Sequence, residues 1–190
     1  ELANQLNAHP WFNIPHNATD DYVTRFATYV HDHLKTGLKA HVEYTNEAWN
    51  PIFWGALYAR NKGANLGLDD NLYWAGAYYY AQRATEIFKI WESVFTDNTR
   101  LMRIIGTDQT TIDWTRNILN HRHSVTQDAV KDHVDVVAMN SYFYGCNDRQ
   151  NRCDGGSSLI PWTFEEIATE YSNSQDTNRS VIALNKIFSV

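Results

Sequence analysis

The sequence predicts an α/β protein built on a parallel sheet, and three observations support this. Short apolar runs alternate four times with stretches of helical period. The segments between successive runs are long enough for the helical crossovers that parallel strands need. Polar and aromatic residues gather where each run ends: Asn13 and His16, Asn46 and Glu47, Thr107 and Asp108, Asn140 and Tyr142. That edge of a parallel sheet is where α/β proteins place their sites.

The elements follow in order. "ELANQLNAH" (1–9) reads as the tail of a helix, and "PWFNIPH" (10–16) as a short strand bounded by prolines. "TDDYVTRFATYVHDHLKTG" (19–37) spaces Tyr22, Val23, Phe26, Ala27, Val30 and Leu34 as one helical face. Thr19 suits its N-cap, Asp20 and Asp21 its first turn, and Gly37 its stop. The second unit is the strand "KAHVEYTN" (39–46), a loop containing "NPIFWG" (50–55), and a long helix over 70–95 that Asp70 can cap. "RLMRIIGTD" (100–108) and "TTIDWTRNILNHRHS" (110–124) form the third unit, and "VDVVAMNSYFYG" (134–145) with a helix over 163–188 the fourth. No glycine-rich fingerprint follows a strand, which argues against a dinucleotide or P-loop site.

The 190 residues suit one domain with a sizeable core. A net charge of -6 without a basic cluster speaks against nucleic acid and anionic membranes as partners, and no run is apolar enough to span a bilayer. Cys146 and Cys153 enclose a short polar loop, which favours a disulfide over a metal site; two reduced thiols are the alternative. A disulfide in turn favours a secreted or periplasmic location, with any export signal encoded upstream. His31 with His33, and His121 with His123, stand two apart in helical stretches and so point to different faces, which speaks against metal binding. No cofactor is expected.

Glu47 is the foremost candidate for chemistry. Aromatic and apolar surroundings disfavour the charged form of a carboxyl group, which suits a carboxyl at a sheet mouth to proton transfer near neutrality. A cap or a surface ion pair is the structural alternative. "YTNEAWN" (44–50), within "PWFNIPHNATDDYVTRFATYV" and "LKAHVEYTNEAWN", resembles the Asn-Glu signature that closes the fourth strand in clan A of the glycoside hydrolases, the retaining (β/α)8-barrel glycosidases. The resemblance implies Glu47 as general acid/base and Asn46 as the residue that hydrogen-bonds the sugar 2-hydroxyl. It extends to "VVAMNSYFYG" (136–145): Tyr142 matches a Tyr that orients the nucleophile, while Asn140 stands where the clan often has His.

On this resemblance the chain is a partial TIM barrel, one domain over 1–190 covering units three to six. The full-length form would hydrolyse β-linked oligo- or polysaccharides by double displacement. The nucleophile, a Glu ending the seventh strand of the clan, then lies outside the chain, so hydrolysis by the chain alone is expected to be feeble. Glu86, Glu92, Glu165, Glu166 and Glu170 fall in helices, and Glu43 lies deeper in the strand that ends at Glu47, more a buried polar partner than a catalytic group. Trp49 and Trp54 are the candidate sugar-stacking residues, joined by Trp162, Trp11, Asn13 and His16; lid, turn and capping roles are their alternatives. Open sheet edges would favour a homo-oligomer. A non-catalytic carbohydrate-binding protein or a self-assembling half-barrel is the competing expectation.

Overall fold

A computed structural model describes residues 1–108 and 111–139. Within them the chain is an α/β unit: strands β1 (Trp11–Ile14), β2 (Ala40–Tyr44), β3 (Leu101–Thr107) and β4 (Val136–Met139) form one sheet in the order β1-β2-β3-β4. Every neighbouring pair is parallel. Its helices are α1 (Leu2–Leu6), α2 (Asp20–His33), α3 (Trp54–Asn65), α4 (Leu72–Val94) and α5 (Ile112–Asn120). Among the described residues no helix is long and apolar enough to cross a membrane.

Strand alternation divides the sheet into two faces. Ala40, Val42 and Tyr44 are buried in the core with Val23, Ala27 and Val30 of α2 and with Tyr80, Ala84, Phe88 and Trp91 of α4. The register pairs Trp11 with His41 and His41 with Met102, then Asn13 with Glu43 and Glu43 with Ile104, so these residues line the opposite face. The helix layer is dense with rings: Trp91 stacks on Phe12 and Phe95, and Tyr44 on Tyr80. Tyr80 is itself fully buried, and its hydroxyl accepts from the Gly106 N–H of β3 at 3.1 Å.

Arg103 of β3 stitches this layer together at its edge. It donates to Glu92 of α4 and, through Nε and Nη2, to both carboxylate oxygens of Asp135 just before β4. Burial alone would raise the Asp135 carboxyl, but the Arg103 hydrogen bonds and charge outweigh it and hold the group below its usual range. The resulting stability is present above the ordinary carboxylate range and is lost as pH falls through the lowered folded value. Asp135→Asn is therefore expected to destabilise the chain by about 1 kcal/mol at neutral pH and to flatten part of the acid limb, which urea titrations across a pH series would measure.

Several sequence expectations need correction. The stretch after residue 50 is not loop throughout: α3 begins at Trp54. Its buried face consists of Gly55, Ala56, Ala59 and Gly63, small residues that leave no periodic run of large side chains to read. Asn71, not Asp70, caps α4, accepting from the Tyr73 N–H at 2.9 Å. Thr19 caps α2 as expected, but α2 ends at His33, and Gly37, at φ 91°, sits in the turn beyond. α5 stops at Asn120, so His121 and His123 follow the helix and are not on it.

Candidate functional site

The described strands end together at Ile14, Tyr44, Thr107 and Met139, and most of the chemistry-bearing residues among the described ones follow the first three of these ends. β2 leaves the sheet through an unusual backbone. Thr45 and Glu47 adopt φ of 51° and 41°, the left-handed region, and neither is glycine. The Thr45 N–H donates to the Ile14 carbonyl at 2.9 Å, which holds the exit against β1. These two residues turn the chain sharply and leave Asn46 exposed and Glu47 half-buried.

Asn50 completes the turn. Its backbone N–H donates to the Glu47 carbonyl and its Nδ2 to Glu47 Oε2, both at 2.9 Å, while its Oδ1 accepts from the Ile52 N–H at 3.1 Å. The side chain of Asn50 thus orients the Glu47 carboxylate. The Asn50-Pro51 dipeptide is a turn signal in the sequence, but nothing there links the amide to Glu47.

Helices α3 and α4 support the loop. Gly55 lies so close to Thr45 that a Cβ there would stand 2.5 Å from Thr45 Oγ1. Arg60 donates to the Trp49 carbonyl at 3.4 Å and sets its guanidinium 5.6 Å from the centre of the Tyr73 ring. Burial, and behind it the Asp108 charge, push the Tyr73 phenol up. Asp108, just past β3, accepts from the Thr111 hydroxyl at 2.9 Å. Arg60 and Tyr73 carry no motif; only the packing of α3 on α4 brings them to the loop.

The aromatic candidates divide. Trp54 is 78% exposed at the start of α3, beside exposed Ile52 and Phe53, so a ring face is free to stack. Trp49 is half-buried, packs edge-on to Trp114 at 6.4 Å and approaches Gly106 of β3. His16 rests 5.1 Å from the Tyr58 ring, and its carbonyl accepts from the Tyr44 hydroxyl at 2.9 Å. Asn13 is exposed on β1. Trp11 opens β1 at the other end of the strand, and its indole reaches along the sheet to donate from Nε1 to Glu43 Oε2 at 2.9 Å. Asn140, Tyr142, Trp162, Cys146 and Cys153 lie outside the described residues.

Glu43 is only 8% exposed. Burial pushes its carboxyl above the usual carboxylate range, and the Trp11 hydrogen bond offsets this only in part. An open groove of about 450 Å³ lies elsewhere, between α1, β1 and α2, walled by Leu2, Leu6, Phe26 and Tyr29. It sits by the start of β1, away from Glu47. Among the described residues no group of three or more His, Cys, Asp or Glu could hold a metal ion.

The arrangement can present a carboxyl group, oriented by an amide, at the C-terminal end of a parallel strand, with an exposed indole a few residues on. No family model, no curated protein and no solved structure matches the chain.

Proposed function

We propose that the chain is part of a retaining β-glycoside hydrolase of the clan A type, its four parallel strands a sector of a (β/α)8 barrel. The observation that supports this most is the placement of Asn46-Glu47 directly after β2, with the Glu47 carboxylate held by Asn50. Glu47 would protonate the glycosidic oxygen as the bond to the anomeric carbon breaks, then take a proton from the water that releases the sugar. A second carboxylate, from outside the described residues, attacks the anomeric carbon. Asn46, exposed at the turn, is free to hydrogen-bond a sugar hydroxyl, and Trp54 offers a stacking face for a neighbouring ring.

Turnover of β-glycosides by the chain and its Glu47→Gln variant, with the native mass of each, tests this reading. The variant is expected to lose about a hundredfold or more on substrates with alkyl leaving groups, and less on activated aryl glycosides, whose departure needs little protonation. A mass above that of one chain in the active species would locate the missing carboxylate in a second copy. Sugar binding without turnover in either protein would leave either an enzyme whose nucleophile lies outside the chain or a carbohydrate-binding protein, and turnover by a longer chain that supplies a second carboxylate would decide between them.

A further inference from the structure

Glu43 has no part in the double displacement, yet its surroundings are those of a group kept for a ligand. It lies on the sheet face turned away from the helices, between Asn13 of β1 and Ile104 of β3 in register. Its carboxyl does not stay level with Ile104. Oε1 stands 2.5 Å from the position a Cβ on Gly106 would occupy, two residues further along β3, and the Trp49 ring comes within 3.6 Å of the same position. The side chain therefore leans toward the C-terminal ends of the strands, under the loop that carries Glu47. Gly106 makes this possible, because any side chain there would displace the carboxyl.

The hydrogen bonding is lopsided. Oε2 accepts from Trp11 Nε1, and Oε1 has no partner among the described residues. No Lys, Arg or His forms an ion pair with Glu43 in that same set. Oε1 is not among the fully buried, unpartnered side-chain atoms of the described residues, so a further partner can reach it.

We propose that Glu43 is a sugar-binding residue of the site: held through Oε2 by Trp11, it presents Oε1 to a hydroxyl oxygen of an uncharged pyranose ring seated beneath Trp49. The inference rests on the glycosidase reading and adds a floor contact to it. The carboxyl acts in its neutral form. Its carbonyl oxygen accepts from the indole, and its hydroxyl donates to the sugar. Ionisation removes that donor and leaves a buried charge with no cation beside it among the described residues.

The other groups that face Glu43 are common to wild type and its Glu43 variants, so a pH slope that only these variants lose belongs to Glu43. β1 presents Trp11 and Asn13, and β3 presents Ile104 and Gly106. From α4 comes Tyr80, whose hydroxyl bonds to the Gly106 backbone and which burial pushes far up. On β2 itself, burial, followed by the His9 and Lys39 charges, holds His41 below its ordinary value.

Calorimetric binding of cellohexaose and xylohexaose at about pH 4, below the ordinary carboxylate value, and at about pH 9 would test this, with wild type, Glu43→Gln and Glu43→Leu. Glutamine keeps both features of the neutral acid, a carbonyl for Trp11 and a donor for the sugar. Wild-type affinity is expected to fall about tenfold from the lower to the higher pH, corresponding to one lost hydrogen bond. Glu43→Gln should bind as tightly as wild type at low pH and show no such fall, and Glu43→Leu should bind about tenfold more weakly at both. A glutamine variant with the wild-type pH slope, or as weak as the leucine variant, would overturn the proposal while leaving the glycosidase reading in place. Failure of wild type to bind either oligosaccharide at either pH would remove that reading and this inference with it.

Discussion

Gly63→Ala is expected to destabilise the chain by about 3 kcal/mol and to lower its melting temperature by about 10 °C. Glycine-to-alanine changes inside a helix ordinarily stabilise by nearly 1 kcal/mol, because alanine loses less backbone entropy. At Gly63 the added Cβ would fall on the carbonyl group of Ala75 in α4. Backbone cannot rotate out of the way as a side chain can, so α3 and α4 must separate along their crossing. Gly76 repeats the situation from the other helix, lying against Cγ and the backbone of Arg60. The separation would pull the Arg60 guanidinium away from the Trp49 carbonyl, so the damage reaches the loop after β2. Calorimetric melting of wild type and variant measures the effect. An unchanged or raised melting temperature would show that the two helices cross with room to spare.

Trp91→Ala should cost about 4 kcal/mol. Trp91 is fully buried on α4, where it stacks on Phe12 and Phe95 and meets Phe26 edge-on. Removing the indole empties the centre of the layer between α2, α4 and the sheet, and surrounding rings of this size collapse poorly into a cavity. Trp91→Phe has a different outcome. The indole Nε1 is buried with no hydrogen-bond partner among the described residues. A phenyl ring keeps most of the stacking and removes the orphaned donor, an omission worth about 1–3 kcal/mol when the group is buried. The phenylalanine variant should therefore lie within about 1 kcal/mol of wild type, the lost volume being offset by the lost orphan. Denaturant midpoints for both variants would separate the two contributions.

The parts of the fold legible in the sequence are those whose burial follows a simple period. α2 shows its face because Val23, Ala27 and Val30 recur at helical spacing, and Thr19 marks its start. The strands show as short apolar runs ending in polar residues, and their parallel order follows from the crossovers. α3 escapes because its packing rests on smallness, not on hydrophobicity: glycine and alanine let two backbones approach, and a scan for large apolar side chains passes over them. The cap of α4 shifts by one residue because Asp69, Asp70 and Asn71 are all competent, and only the turn geometry selects among them.

At the site, Glu47 is visible as a carboxylate at a strand end. Asn50, Arg60 and Tyr73 are not, since their roles arise from tertiary contacts between α3, α4 and the loop. Glu43 is read from its position as a buried polar partner, and the Trp11 bond supports that. What the position could not reveal is the direction in which the carboxyl leans, which depends on a glycine more than sixty residues away.

The left-handed backbone at Thr45 and Glu47 sets two demands against each other. A residue with a Cβ in this region sacrifices about 1–2 kcal/mol that glycine would recover. A library of this chain selected for heat resistance alone would therefore drift toward Gly or Asn at both positions, and the protein would grow sturdier as its carboxylate disappeared. Selected for action on a ligand instead, position 47 should hold its glutamate while compensating substitutions accumulate elsewhere in the core. The two selections run side by side would show whether the residue is retained for what it does or tolerated for where it sits.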